Sequence, residues 1–144
     1  MHLCDESIDL WTIPLNDIGD RFQDHVQSLS ADERQRAARF RSSEDSRRFT
    51  LAHGSLRSIL SQYIGTPPNT IQLSYGAHGK PRLAETHQTS FEFNLSHSGD
   101  YALCAVTKTH SIGIDIEKIG NADPGYYLRL ATRFFSRKEF EAIN

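Results

Sequence analysis

Apolar and polar positions change period along the chain, and the changes mark out elements. Residues 8–15, Ile-Asp-Leu-Trp-Thr-Ile-Pro-Leu, read as a β-like apolar stretch that Pro14 confines to an edge or a strand end. Ser30-Ala31-Asp32-Glu33 is a capping box, which predicts a helix through about Phe40. Ser42-Ser43-Glu44-Asp45 opens a second helix, on which Phe49, Ala52, Leu56, Ile59, Leu60 and Tyr63 recur at helical steps. Gly65 followed by Pro67-Pro68 supplies its stop. Beyond the prolines Ile71, Leu73 and Tyr75 alternate, as do Phe91, Phe93 and Leu95, which is strand spacing. Between them Gly76-Ala77-His78-Gly79-Lys80-Pro81 reads as a turn or loop. Tyr101 to Val106 is an apolar run fit for a buried strand, and Thr107 to His110 can turn it back into Ile112 to Ile116 as a hairpin. Tyr126 to Phe135 is expected to be helical, and Ser136-Arg137-Lys138-Glu139 is a third capping box. Early helices followed by strands on short connections make an α+β unit.

Composition narrows the class without naming a function. The 144 residues are 38% hydrophobic and 24% charged, enough apolar content for a core and against general disorder. Sixteen basic and eighteen acidic residues leave a formal charge of −2, which argues against a generally cationic nucleic-acid binder. Cys4 and Cys104 stand a hundred residues apart, with neither disulfide-framework nor zinc spacing, and suit a reducing, cytoplasmic setting. The acidic start differs from a secretory signal, and no apolar stretch approaches the roughly 20 residues of a membrane span.

Candidate chemistry concentrates in a few segments. In Gly113-Ile114-Asp115-Ile116-Glu117, strand spacing puts Asp115 and Glu117 on one face and the isoleucines on the other. Paired carboxylates suit Mg²⁺, which takes one or two carboxylates, several waters and substrate phosphates; a solvated strand face carrying two unrelated acids has the same spacing. Asn94-Leu95-Ser96-His97-Ser98-Gly99 follows an alternating strand and reads as a loop at its end. Its hydroxyls, imidazole and backbone donors fit phosphate oxygens, and equally a turn that caps its own backbone. A serine nucleophile there lacks the strand–turn–helix elbow. Seven arginines between residues 32 and 57 face four acids, a local excess of three suited to phosphate or to a solvated helix face. Lys80 is ambiguous alone. The remaining histidines, His53 among them, show no ligand spacing and read as ordinary surface or core residues.

In order and with fitting intervals, these segments resemble the 4′-phosphopantetheinyl transferases of the surfactin-synthetase (Sfp) type. The likeness is carried by Gly79-Lys80-Pro81, Phe93-Asn94-Leu95-Ser96-His97-Ser98 and Gly113 to Glu117, with Arg36 to Arg57 and Arg133-Phe134-Phe135-Ser136 through Glu139 in support. The resemblance implies transfer of the 4′-phosphopantetheine arm of coenzyme A to a serine of an apo acyl or peptidyl carrier protein, releasing 3′,5′-ADP. A hydroxyl attacks the β-phosphorus of a pyrophosphate, so positioning and charge neutralisation dominate. By resemblance Asp115 and Glu117 hold Mg²⁺ and, with His97, form the catalytic set. Arg36, Arg48, Gly79, Lys80, Pro81, Ser96 and His97 would contact coenzyme A.

The family also carries a later Trp-x-x-Lys-Glu motif; here the only tryptophan is Trp11 and the motif is absent. The short carrier-protein synthases place their motifs in a different order. The resemblance therefore implies one half of a two-half protein: a small antiparallel sheet packed on a long helix at 43–64, within residues 1–118, with residues 119–144 beginning the second, pseudo-symmetric half. Exposed apolar surface is expected near residues 112–143, with self-association one way to cover it. The chain is expected to bind coenzyme A and Mg²⁺ weakly and to transfer poorly by itself. A non-catalytic coenzyme A or carrier-protein binding module is the first rival reading. The second is an unrelated Mg²⁺-dependent phosphoesterase using Asp115, Glu117 and His97.

Overall fold

A computed structural model of the chain describes residues 3–4, 6–16, 19, 21–76, 79–120 and 124–143. Strand β1 (Ile8–Pro14) is followed by helices α1 (Phe22–Ser28), α2 (Ala31–Ala38) and α3 (Ser43–Ile64). Short strands β2 (Leu73–Tyr75) and β3 (Pro81–Leu83) pair antiparallel by themselves. Strands β4 (Glu92–Ser98) and β5 (Tyr101–Thr107) then form a hairpin, and α4 (Pro124–Phe134) and α5 (Arg137–Ile143) close the chain. The main sheet has the order β1-β5-β4, antiparallel throughout, with β1 at an edge as Pro14 requires. Among the described residues no helix is long and apolar enough to cross a membrane.

The small sheet packed on a long helix is the architecture the family resemblance implies. Helix α3 begins where Ser42 accepts the Asp45 N–H at 3.3 Å, and ends at Gly65, whose φ of +67° supplies the left-handed cap. Its apolar stripe, Ala52, Leu56, Ile59, Leu60 and Tyr63, packs on Phe93, Ala102, Cys104 and Val106 of the sheet, with Leu15 and Ile71 at the margins. Each large aliphatic side chain buried there contributes about 1.5–3 kcal/mol. At the lower end, Trp11 Nε1 donates to the Tyr63 hydroxyl at 2.9 Å, which donates to Asp9 at 2.6 Å. Burial and that carboxylate push the Tyr63 phenol up to about 12, and burial alone does the same to the Cys104 thiol.

The capping boxes at Ser30 and Ser136 both form, with Glu33 and Glu139 reaching back to the cap N–H at 2.9 and 2.8 Å. Helix α1 was not predicted. It packs so closely on α3 that a Cβ on Gly54 would stand 2.8 Å from the His25 Cα.

Two expectations are corrected. Ser96, His97 and Ser98 belong to β4 rather than to a loop; the turn is Gly99-Asp100, where Gly99 takes φ +59° at the first position of a two-residue hairpin. Nor does the segment after β5 return as a hairpin, because β1 and β4 already occupy both edges of β5. Residues 112–118 instead run beside β4 in the parallel sense as an extended strap without a backbone ladder. Asn94 Oδ1 accepts the Ile114 N–H at 2.8 Å, Ser96 Oγ the Ile116 N–H at 3.3 Å, and Ser98 Oγ the Lys118 N–H at 2.9 Å. The predicted turn at 76–81 closes in part as β3, while Ala77 and His78 lie outside the described residues. The apolar side chains Ile119, Tyr126, Tyr127, Leu128, Leu130, Phe134 and Phe135 are exposed, as expected for 112–143.

Candidate phosphate and metal site

Alternation along β4 divides the candidate residues between two faces. Phe93 and Leu95 turn toward the core, and His97, next on that face, opens into a cavity of about 390 Å³. The cavity is lined by Arg36 of α2, Asp45, Arg48, Phe49 and His53 of α3, and by Phe40 and Gly99. Three expected phosphate contacts, Arg36, Arg48 and His97, thus meet from three separate elements. Arg36 places its guanidinium carbon 5.1 Å from the Phe49 ring centroid. Arg48 bonds Glu44 and Asp100, each at 2.7 Å. That guanidinium bond holds the Asp100 carboxyl below its ordinary value, and Asp100 in turn raises Arg48. Arg48 Nε is buried and has no hydrogen-bond partner among the described residues.

Below the rim lies a buried polar cluster. Glu33, 4% exposed, receives bonds on Oε2 from the Ser30 N–H and Arg57 Nε, and its Oε1 lies 3.2 Å from His53 Nδ1. Burial works to raise the Glu33 carboxyl; the His53, Ser30 and Arg57 bonds outweigh it and bring it down to about 2. Arg57 Nη1 also donates to the carbonyls of Pro68 and Ile71, at 2.8 and 2.9 Å. It is therefore a structural member of the arginine run.

Asn94, Ser96 and Ser98 alternate with the core-facing residues and meet the strap. The Ser96 hydroxyl donates to Asp115 Oδ1 at 2.7 Å and the Ser98 hydroxyl to Glu117 Oε2 at 3.1 Å. Asp115 and Glu117 are exposed, while Ile112, Ile114 and Ile116 are half-buried, the division that strand spacing predicts. Lys80 Nζ donates to the Ile112 carbonyl, at the start of the strap, and does not line the cavity. Gly79, at φ +74°, and Pro81, the first residue of β3, flank Lys80 at the entry to that strand. Among the described residues no three His, Cys, Asp or Glu side chains gather to hold a metal. The pair at the strap is nonetheless a hard oxygen set with hydroxyls orienting the carboxylates, which fits Mg²⁺ completed by water and phosphate.

The sequence brings the expected residues together in two groups: Arg36, Arg48 and His97 in the cavity, and Ser96, Asp115 and Glu117 at the strap. The Gly99-Asp100 turn stands between them, because Gly99 lines the cavity while Asp100 lines a neighbouring hollow of about 220 Å³ with Ser98 and Glu117. Phe49 and His53 went unnoticed as cavity residues. The available signal was that Phe49, His53 and Arg57 fall four apart, on one face of α3.

The family profile described as 4′-phosphopantetheinyl transferase, N-terminal, matches residues 16–109. The 4′-phosphopantetheinyl transferase HetI of Nostoc sp. is 42% identical over 149 residues, covering 98% of this chain and 59% of its own. The 4′-phosphopantetheinyl transferase Sfp of Bacillus subtilis is 34% identical over 115 residues, covering 80% and 48%. The chain thus spans about half the length of the curated relatives it matches. A holo-(acyl-carrier-protein) synthase from Bacillus anthracis, solved in complex with CoA (3′,5′-ADP), has the same fold with a TM-score of 0.56 and 21% identity, over 72% of this chain and 96% of that one.

Proposed function

The chain belongs to the 4′-phosphopantetheinyl transferases, and from that premise we propose that it forms the coenzyme A-binding wall and the metal-directed carboxylate pair of an enzyme that loads apo carrier proteins. The observation that carries the reading is the convergence of Arg36, Arg48 and His97, from α2, α3 and β4, on one cavity. Two guanidiniums and an imidazole around a hollow lined by Phe49 and Phe40 suit the phosphates of a nucleotide-bearing ligand.

In this reading Asp115 and Glu117 hold Mg²⁺, with Ser96 and Ser98 orienting the two carboxylates through their hydroxyls. Bound there, the ion would polarise pyrophosphate oxygens and stabilise the departing phosphate. Arg36, Arg48 and His97 fix the nucleotide end of coenzyme A, so that the pyrophosphate crosses the Gly99-Asp100 turn toward the strap. Lys80 acts on the start of the strap through Ile112. Residues 1–118 are the first half of the enzyme and residues 119–144 open the second, a division supported by the exposed apolar face of α4. Coenzyme A and an apo carrier protein are the partners, with a second copy of the chain a further candidate to cover that face. A cytoplasmic location accords with the free thiols of Cys4 and Cys104.

Calorimetry with coenzyme A, with and without Mg²⁺, beside a turnover assay on purified apo carrier protein, tests the reading. Binding that Arg36→Ala, Arg48→Ala and His97→Ala each weaken is expected, and binding indifferent to all of them sinks the cavity assignment. In an enzyme carrying this chain and the remaining family length, Asp115→Ala is expected to cost several orders of magnitude in rate. Near-normal activity would overturn the metal assignment.

A further inference from the structure

The family reading leaves the floor of the cavity unassigned. Phe49, His53 and Arg57 stand four apart on α3, a line running from the cavity wall into the protein. The His53 ring stacks on Phe49, with centroids 4.0 Å apart and planes inclined by 27°. On its other side His53 Nδ1 meets Glu33 Oε1 at 3.2 Å. Glu33 is buried and pinned by the Ser30 N–H and by Arg57, which is itself only 2% exposed. An acid held this firmly fixes the ring with Nδ1 toward itself, and Nε2 is the nitrogen left for the cavity that His53 lines.

We propose that His53 is a phosphate-binding residue that takes up a proton as a phosphate enters the cavity, and that Glu33 is its positioning residue. The proposal rests on the reading of this cavity as a phosphate site. In the free protein His53 faces one carboxylate whose charge Arg57 already shares, with Arg36 of α2 and Arg48 of its own helix beside the same cavity. Asp45 of α3 and His97 of β4 complete the charged or titratable lining, α1 sets His25 against the neighbouring Gly54, and Tyr75 of β2 lies near enough to sense Glu33. A phosphate at Nε2 adds negative charge on the far side of the ring. The imidazolium then stands between two anions and donates to both; the one covalent change is the new ring N–H, its proton released by solvent or buffer. Proton uptake and phosphate affinity are therefore linked, each favouring the other.

Calorimetry of the 144-residue chain with 3′,5′-ADP near neutral pH, in buffers of contrasting ionisation enthalpy, reads the proton count. The unmodified chain is expected to take up a fraction of a proton on binding. His53→Gln removes the uptake and weakens binding about tenfold, the loss of one charge-assisted hydrogen bond. Glu33→Gln reduces the uptake while leaving the ring in place. Circular dichroism accompanies both variants, and His53→Gln carries the decision if Glu33→Gln unfolds. His97→Gln is expected to weaken binding yet keep the uptake. Uptake unchanged in His53→Gln, or lost only in His97→Gln, overturns the proposal. Binding without any uptake overturns it while leaving the cavity reading intact, whereas no binding of 3′,5′-ADP at all overturns the cavity reading and the proposal together.

Discussion

In the cavity floor, Glu33 is buried and bound by a backbone N–H, a histidine and an arginine; on the strap, Asp115 and Glu117 are exposed and each held by a single serine hydroxyl. Both regions use carboxylates spaced by local secondary structure, yet their surroundings give them different work. Burial forces Glu33 to find its partners inside the protein, so it becomes part of the scaffold. Exposure leaves the strap carboxylates with unused oxygen positions, which is the condition a metal ion needs. Charge alone did not distinguish the two; the number and rigidity of their partners does.

Breaking the floor is expected to have the largest effect. Glu33→Ala leaves Arg57 buried and unpaired and should cost about 3–5 kcal/mol, read from denaturant unfolding. Acid gives the same contrast without mutation. The folded value of Glu33, about 2, lies below its ordinary 4.5, so its stabilisation is complete above the ordinary value and disappears as pH falls toward the folded one. On the order of 3 kcal/mol should be lost across that window, and Glu33→Gln should remove this slope while leaving other acidic contributions. A third change tests the packing beneath the floor. Gly54→Ala drives a methyl against the backbone of His25 and should cost about 1–3 kcal/mol, with the strap signals in an NMR spectrum unmoved. The smallest effect belongs to the strap: Ser96→Ala should lower global stability by roughly 1 kcal/mol or less, while the Ile116 amide exchanges faster with solvent. A global loss as large as that of Glu33→Ala would erase the distinction between the two regions.

Much of the fold was legible because it rests on local signals. The Ser30 and Ser42 caps, the Gly65 stop and the stripe from Ala52 to Tyr63 each specify α3 or its neighbour within a few residues. Helix α1 escaped because Phe22–Ser28 buries none of its residues fully and has no side-chain cap. The fate of 107–118 escaped for a different reason: whether β5 has a free edge is decided by β1, almost a hundred residues earlier. Reading Ser96-His97-Ser98 as a loop followed from residue types that are poor in strands, a preference overridden here by the strap's polar partners. At the site, the residue types were legible and their grouping was not. Nothing in the spacing said that His97 and Ser96, adjacent in sequence, would serve opposite faces, until the strand carried through them. The pairing of Glu33 with His53 joins two helices and has no sequence signature of its own.

The strap is fastened by Asn94, Ser96 and Ser98, each taking the amide twenty residues further along, where a sheet would use backbone carbonyls. A ladder is indifferent to side chains and comes apart cooperatively. This fastening is instead spelled in replaceable letters and works like separate buttons on one placket. Threonine in place of either serine keeps the oxygen that holds its button, and alanine undoes that button alone. Position and grip of the acidic pair can thus be adjusted one residue at a time, without disturbing the hydrogen bonds that hold the sheet.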